Sequence, residues 1–157
     1  MKLVVNENTY VTVSEADRIV SNYLTSDSEI LSLYDNMDDD DKTIILYRSC
    51  LDMQKLKYRG FKQDQNQKLA FPRVNRVGYK SDDDMVKLAQ VINSLSFING
   101  GSTNTTQLNM LSANNVTNFK LGSFSISLAD GKSAKSNSGA VENILAEWLT
   151  GGVKIRW

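Results

Sequence analysis

Apolar side chains recur at three- and four-residue spacing in four segments of the chain, which is the pattern of an amphipathic helix. This spacing constrains the fold most, because each apolar stripe must be buried against another element. The predicted stripes are Ala16, Ile19, Val20, Tyr23 and Leu24; Ile44, Tyr47, Cys50, Leu51 and Met53; Met85, Leu88, Ala89, Ile92 and Leu95; and Val141, Ile144, Leu145, Trp148 and Leu149. We therefore expect a mainly α fold, a bundle of about four helices in one domain over residues 1–150.

Polar residues before these stripes predict where the helices begin. Ser14 and Ser81 are the expected caps of the first and third helices. The acidic run 38–41 can be interpreted as a metal site or as a helix start. A calcium loop alternates its ligands and needs a glycine and a late glutamate, which this run lacks. We expect a helix start, with the helix running to about Tyr58 and Gly60 stopping it.

A small β element is predicted beside the helices. Residues 3–5 and 9–13 have the composition of short strands, and residues 119–128 have that of a further strand. The alternation of apolar and polar residues changes parity at Gly122, which predicts a bulge or a turn there.

The residue types present argue against catalysis on chemical grounds. The chain has no histidine, which removes the usual general base and most zinc and iron sites. Its one cysteine, Cys50, lies in an apolar stripe and is expected to be a buried structural thiol. No apolar run approaches the roughly 20 residues of a membrane span. We predict no enzyme activity, no cofactor, no metal and no membrane partner.

Charge is segregated along the chain although the net charge is zero. Residues 1–41 carry 2 basic and 10 acidic side chains, and residues 42–80 carry 10 basic and 2 acidic ones. Three interpretations stay open: complementarity inside one fold, opposite faces meeting in an oligomer, or a basic belt facing a phosphate backbone.

Two further segments are candidates for function. The only proline, Pro72, follows Phe71 in a loop rich in lysine, arginine and glutamine, and this pair is predicted to clip the loop to the helices. Residues 151–157 form a predicted docking tail. Its five candidate residues are Val153, Lys154, Ile155, Arg156 and Trp157. The tail either folds back on its own domain or docks on a partner.

Several blocks of the sequence together resemble one family. They are YVTVSEAD at 10–17, LAFPR at 69–73, VGY at 77–79 and KLGSFSI at 120–126. In order and spacing these blocks are similar to the tailed-phage head–tail connector, or neck adaptor, proteins, a group often labelled DnaT-like single-stranded DNA-binding protein. The chain departs from the pattern in having Phe71 where tryptophan is usual, and in a longer, more polar segment at 99–118.

The resemblance implies a helical adaptor of the virion neck, assembled in the host bacterial cytoplasm. It implies a ring of copies of the same chain, commonly twelve, beneath the portal protein. Genomic DNA passes through the ring channel without specific contacts, and a downstream neck or tail-completion protein binds the ring. The C-terminal region is implied in portal docking, and catalysis is not implied.

Specific residues can be placed in this scheme as a hypothesis. The basic set is expected to face a neighbouring subunit or the channel, and comprises Lys62, Lys68, Arg73 and Arg76. The acidic set is expected to meet it between subunits, and comprises Asp38, Asp39 and Asp40.

Two other functions compete with assembly. The alternative function is single-stranded nucleic-acid binding, because aromatic residues lie in the basic third of the chain. A carboxylate enzyme built on residues 38–41 or 82–84 is the weaker option, since no second chemical group accompanies either run.

Overall fold

The computed structural model describes residues 1–98, 118–121, 124–127 and 139–150. Its helices are α1 (Val13–Tyr23), α2 (Glu29–Asp35), α3 (Asp39–Gln54), α4 (Asp83–Leu95) and α5 (Gly139–Ile144), and a 3-10 turn at Ala146–Trp148 follows α5. Its strands are β1 (Phe61–Lys62), β2 (Arg73–Val74), β3 (Asn118–Leu121) and β4 (Phe124–Ser127). The prediction of a mainly α fold with a small β element is confirmed. Among the described residues, no helix is long and apolar enough to cross a bilayer.

Helix α4 lies at the centre of the bundle. It packs most extensively against α3 and α5, and also against α1. Every residue from Leu88 to Leu95 is buried, including the polar Gln90, Asn93 and Ser94. Polar side chains buried in this way need internal partners, and α3 supplies some of them through Leu46, Ser49 and Asp52.

Two helix starts differ from the predicted ones. Helix α1 is capped by Thr12, not Ser14: the Thr12 hydroxyl accepts from the Glu15 N–H at 3.1 Å, and Glu15 Oε2 accepts from the Thr12 N–H at 2.9 Å. This reciprocal capping box satisfies two backbone donors, which a cap at Ser14 would leave without partners.

Helix α4 is capped by Asp82, because the Ser81 hydroxyl instead accepts from the Arg73 N–H at 2.9 Å.

The acidic run is a helix start, as predicted. The Asp38 carboxylate accepts from the Asp41 N–H at 2.8 Å and caps α3. The other end of α3 differs from the prediction, since the helix ends at Gln54 rather than near Tyr58. The Met53 carbonyl accepts from the Tyr58 hydroxyl at 2.8 Å and from the Leu56 N–H at 3.3 Å, so groups beyond Gln54 close the last turn.

The predicted inward face of α3 was wrong in part. Cys50 and Met53 are buried, but Ile44 and Leu51 are exposed. The core face is turned toward Ile45, Leu46 and Ser49, which are buried instead. The Ser49 hydroxyl donates to the Gln90 carbonyl at 2.6 Å. A polar residue is therefore buried on this face, where the apolar pattern predicted Ile44 and Leu51.

The β structure consists of two antiparallel pairs. Strand β1 pairs with β2, opposing Phe61 and Val74, and the sequence did not predict this pair. Strands β3 and β4 form a second pair in which Leu121 opposes Phe124, so the one strand predicted over residues 119–128 is instead two strands. The predicted N-terminal strands reduce to one bridge between Val5 and Thr9.

Candidate interaction surface

A cluster of aromatic rings surrounds Phe71. Its buried ring meets the rings of Tyr58, Trp148 and Tyr10 edge-on, with centroid distances of 4.7, 6.3 and 6.4 Å. Edge-to-face rings at this spacing attract each other beyond their burial. The Phe71–Pro72 peptide is cis. The predicted clip residue therefore lies at the junction of the loop, α3 and the C-terminal turn.

The backbone on either side of Phe71 is hydrogen-bonded to the rest of the fold. The Tyr10 hydroxyl accepts from the Phe71 N–H at 3.2 Å and from Gln54 Nε2 at 3.0 Å. Gln54 Oε1 in turn accepts from the Ala70 N–H at 2.7 Å. Burial raises the pKa of Tyr10 to about 12, which keeps this hydroxyl protonated. The sequence pattern did not connect Tyr10 or Gln54 with Phe71, because these residues lie far apart along the chain.

Arg73 is used inside its own subunit. Its guanidinium donates to four backbone carbonyls, and burial lowers its pKa. The acceptors are Arg59 at 2.7 Å, Gly60 at 2.8 Å, Ala70 at 3.2 Å and Tyr58 at 3.4 Å. The expected role of Arg73 at a neighbouring subunit or a channel conflicts with this geometry, because backbone carbonyls already occupy its planar guanidinium group.

Other predicted basic residues divide into two groups. Lys68 forms an ion pair with Glu7 at 2.8 Å, and Lys42 pairs with Asp17 at 3.0 Å, so the acidic and basic thirds do meet within one fold. Lys62 donates to the Gln67 carbonyl at 3.1 Å while staying exposed, and Arg76 is exposed. Ion pairs within the fold account for part of the charge segregation. Lys62 and Arg76 are not part of these ion pairs.

Three large apolar side chains are exposed on the loops around this cluster. Phe61, Val77 and Tyr79 are 63%, 88% and 56% exposed. The Tyr79 ring stacks on the buried ring of Trp148, with an interplanar angle of 12° and a centroid distance of 6.3 Å. We call these residues and the exposed cations near them the loop surface. Its cations are Lys57, Arg59, Lys62, Arg76 and Lys80.

Backbone pairing holds the loop surface together. Arg59 donates its N–H to the Trp148 carbonyl, and Thr150 donates its N–H to the Lys57 carbonyl at 2.9 Å. On the other side, β1 pairs with β2, and Val74 bridges to Lys80. These pairings bring together the backbone segments that carry the exposed cations and aromatic rings. The predicted tail residues 153–157 lie outside the described residues.

The acidic residues lie at the other end of α3. Asp38, Asp39 and Asp40 are exposed at its N-terminus, while the loop surface begins just after its C-terminus. A helix of 16 residues rising about 1.5 Å each spans about 24 Å. The structure therefore separates the two predicted charged sets within a subunit. In the described parts of the chain, no group of three or more Cys, Asp or Glu side chains is arranged to hold a metal ion.

The fold and this surface define a mainly helical protein with small antiparallel β pairs and an exposed aromatic and basic surface. The chain belongs to the family described as "Putative DnaT-like ssDNA binding protein", whose model matches residues 2–156. That description agrees with the label noted for the resembling group. No curated protein and no solved structure matches the chain.

Proposed function

We propose that this chain is a structural adaptor of the tailed-phage neck, located in the virion. In this proposal about twelve copies form a ring beneath the portal protein, extend the DNA channel and receive the next neck or tail-completion protein. The sequence resemblance supports this assignment. The proposal includes no catalytic step and no cofactor.

One structural observation carries the proposal: the exposed acidic and basic sets lie at opposite ends of α3. A ring of identical subunits needs two different patches that meet between neighbours. Asp38, Asp39 and Asp40 of one copy would meet the loop surface of the next, where Lys62 and Arg76 are exposed. Arg73 is left out of this contact because its guanidinium already bonds four backbone carbonyls of its own subunit, whereas the exposed ion pair of Lys68 with Glu7 leaves Lys68 able to take part.

Assembly on the portal tests the proposal directly. Light scattering of the purified protein with and without its portal should show a complex, and an image of that complex should show the ring. We expect Lys62→Glu combined with Arg76→Glu to prevent ring closure. Lys2→Glu combined with Arg18→Glu removes the same charge from exposed positions outside the loop surface and should leave assembly intact. A protein that ignores the portal would overturn the assignment.

The C-terminal tail is proposed as the portal-docking element. Its candidate residues are Val153, Lys154, Ile155, Arg156 and Trp157. The described chain ends beside the loop surface, because Thr150 is hydrogen-bonded to Lys57. A chain ending at Thr150 should keep its circular dichroism spectrum and lose portal binding. Retained docking would remove this part of the proposal.

Single-stranded DNA binding is the second candidate function. The family description favours it, and so does the loop surface, where Phe61 and Tyr79 are exposed among cations. Aromatic rings beside a basic groove are the usual platform for unpaired bases. A shift assay on oligonucleotides across a salt series separates the two functions. Binding tighter than about 1 µM at physiological salt, lost in Phe61→Ala with Tyr79→Ala, would support DNA binding.

A further inference from the structure

The outward side of α3 carries an apolar pair between two charged residues. Ile44 and Leu51 are 44% and 46% exposed and lie seven residues apart, so they share one face of the helix. Asp40 lies one turn before Ile44, and Lys55 lies one turn after Leu51, at the C-cap in helical geometry. We call these four residues the outer stripe. The Lys55 side chain is 76% exposed, and its contact with Asp52 is long at 3.8 Å.

The spacing of the outer stripe is the same in both directions, and its two ends carry opposite charges. Its spacings are four, seven and four residues, and its order is acid, apolar, apolar, base. When a second copy lies antiparallel with the two-fold axis between Tyr47 and Arg48, each Ile44 faces a Leu51. Each Asp40 then lies opposite a Lys55.

A parallel arrangement would be repulsive, because it places Asp40 against Asp40 and Lys55 against Lys55. Arg48 lies near the two-fold axis of the antiparallel pair. Its guanidinium carbon is 4.9 Å from the centre of the Phe97 ring of its own subunit, which holds this charge at the flank of the stripe. The charge pattern therefore selects the antiparallel pair.

We propose that a second copy of this chain docks antiparallel on the outer stripe and forms a two-fold symmetric dimer. Such an isologous contact closes after two copies, so it differs from the ring contact proposed above and describes the free protein. The dimer is weak, because its centre holds only two Ile44–Leu51 pairs and the charges lie at its rim. It does not depend on the proposed function.

Sedimentation velocity of the full chain tests the dimer. We expect a shift from monomer to dimer as the concentration rises to about 500 µM, where weak contacts of this size are populated. Leu51→Asp should keep the protein monomeric. Asp40→Lys alone and Lys55→Asp alone should each weaken the dimer, because each places like charges opposite one another. The double variant Asp40→Lys with Lys55→Asp should restore it with the charges reversed.

Controls separate this contact from a general charge effect or from misfolding. Asp39→Lys changes an exposed charge on the other side of α3 and should leave the dimer unchanged. Circular dichroism checks the fold of each variant. A wild-type monomer at every concentration overturns the dimer. A dimer that Leu51→Asp leaves intact, or that the double reversal does not restore, overturns its placement on the outer stripe. Portal binding is measured separately, so the two proposals fail independently.

Discussion

The side-chain carbonyl of Gln90 accepts a hydrogen bond from the backbone N–H of Tyr10 at 2.8 Å, across 80 positions of the sequence. The Gln90 amide donates to the Thr9 hydroxyl and to the Leu46 carbonyl, each at 2.9 Å. One fully buried side chain thus joins α4 to α3 and to the N-terminal segment.

Gln90→Leu should destabilise the fold strongly. The change leaves the Tyr10 N–H and the Leu46 carbonyl buried without this partner, and we expect the free energy of unfolding to fall by about 2–4 kcal/mol. Urea unfolding followed by circular dichroism measures the loss. Gln65→Leu, at an exposed loop position, should change stability by less than about 0.5 kcal/mol. Similar losses in the two variants would contradict the role of the buried amide.

Arg73→Lys should also destabilise the fold, although the charge is kept. A lysine ammonium cannot make the four hydrogen bonds that the guanidinium makes to backbone carbonyls. We therefore expect a loss of about 1–2 kcal/mol in the free energy of unfolding. Arg76→Lys is the matched control at an exposed position of the same loop. Thermal unfolding compares the pair. An unchanged melting temperature for Arg73→Lys would show that these hydrogen bonds add nothing to stability.

Gly60→Ala should cost more than Gly78→Ala. Both glycines have positive φ, at 73° and 84°, so both substitutions strain the backbone. A Cβ at position 60 would lie 2.5 Å from the Val74 carbonyl oxygen, whereas none of the surrounding atoms lies within 4 Å of one at position 78. We expect about 1 kcal/mol for position 78 and at least about 2 kcal/mol for position 60, measured by urea unfolding. Equal costs would mean that β1 and β2 separate easily.

Alkaline pH should destabilise the protein through its buried tyrosines. Burial raises the pKa of Tyr10 and of Tyr23 from 10.0 to about 12. A folded-state pKa above the unfolded one gives stability that is present below pH 10 and is lost as the pH rises toward 12. We expect Tyr23→Phe to flatten this loss in urea unfolding between pH 9 and 12, a window set by these pKa values. Tyr79→Phe, at an exposed ring, serves as the control, and an unaltered slope in Tyr23→Phe would refute the assignment.

Sequence patterns predicted the features that depend on residues close together along the chain. The mainly helical fold follows from apolar spacing, and the start of α3 follows from the acidic run at Asp38. The inward face of α3 did not follow, because Ser49 bonds to Gln90, a residue 41 positions away. The pairing of β1 with β2 was also missed. Each strand has only two residues, so no alternation of apolar and polar residues can be detected in it.

The candidate surface could be predicted only in composition. The basic and aromatic residues of the loop are evident in the sequence, but their division into internal and exposed groups is not. Arg73 and Arg76 are three positions apart, and only the fold shows that the first bonds four carbonyls while the second is exposed. Long-range partners such as Tyr10 and Gln54 leave no periodic signal in the sequence.

The pairing of Lys57 with Thr150 has a mechanical consequence. A pull along the chain beyond Thr150 is resisted first by its two hydrogen bonds to the Lys57 carbonyl, at 2.9 and 3.0 Å, and by the bond between Arg59 and Trp148. Tyr58 and Leu149 form an antiparallel bridge between these bonds, so all of them join the same two segments. Further extension must also separate the indole of Trp148 from the rings of Phe71 and Tyr79. The segment that ends at Thr150 is therefore attached to the fold both by backbone hydrogen bonds and by ring contacts.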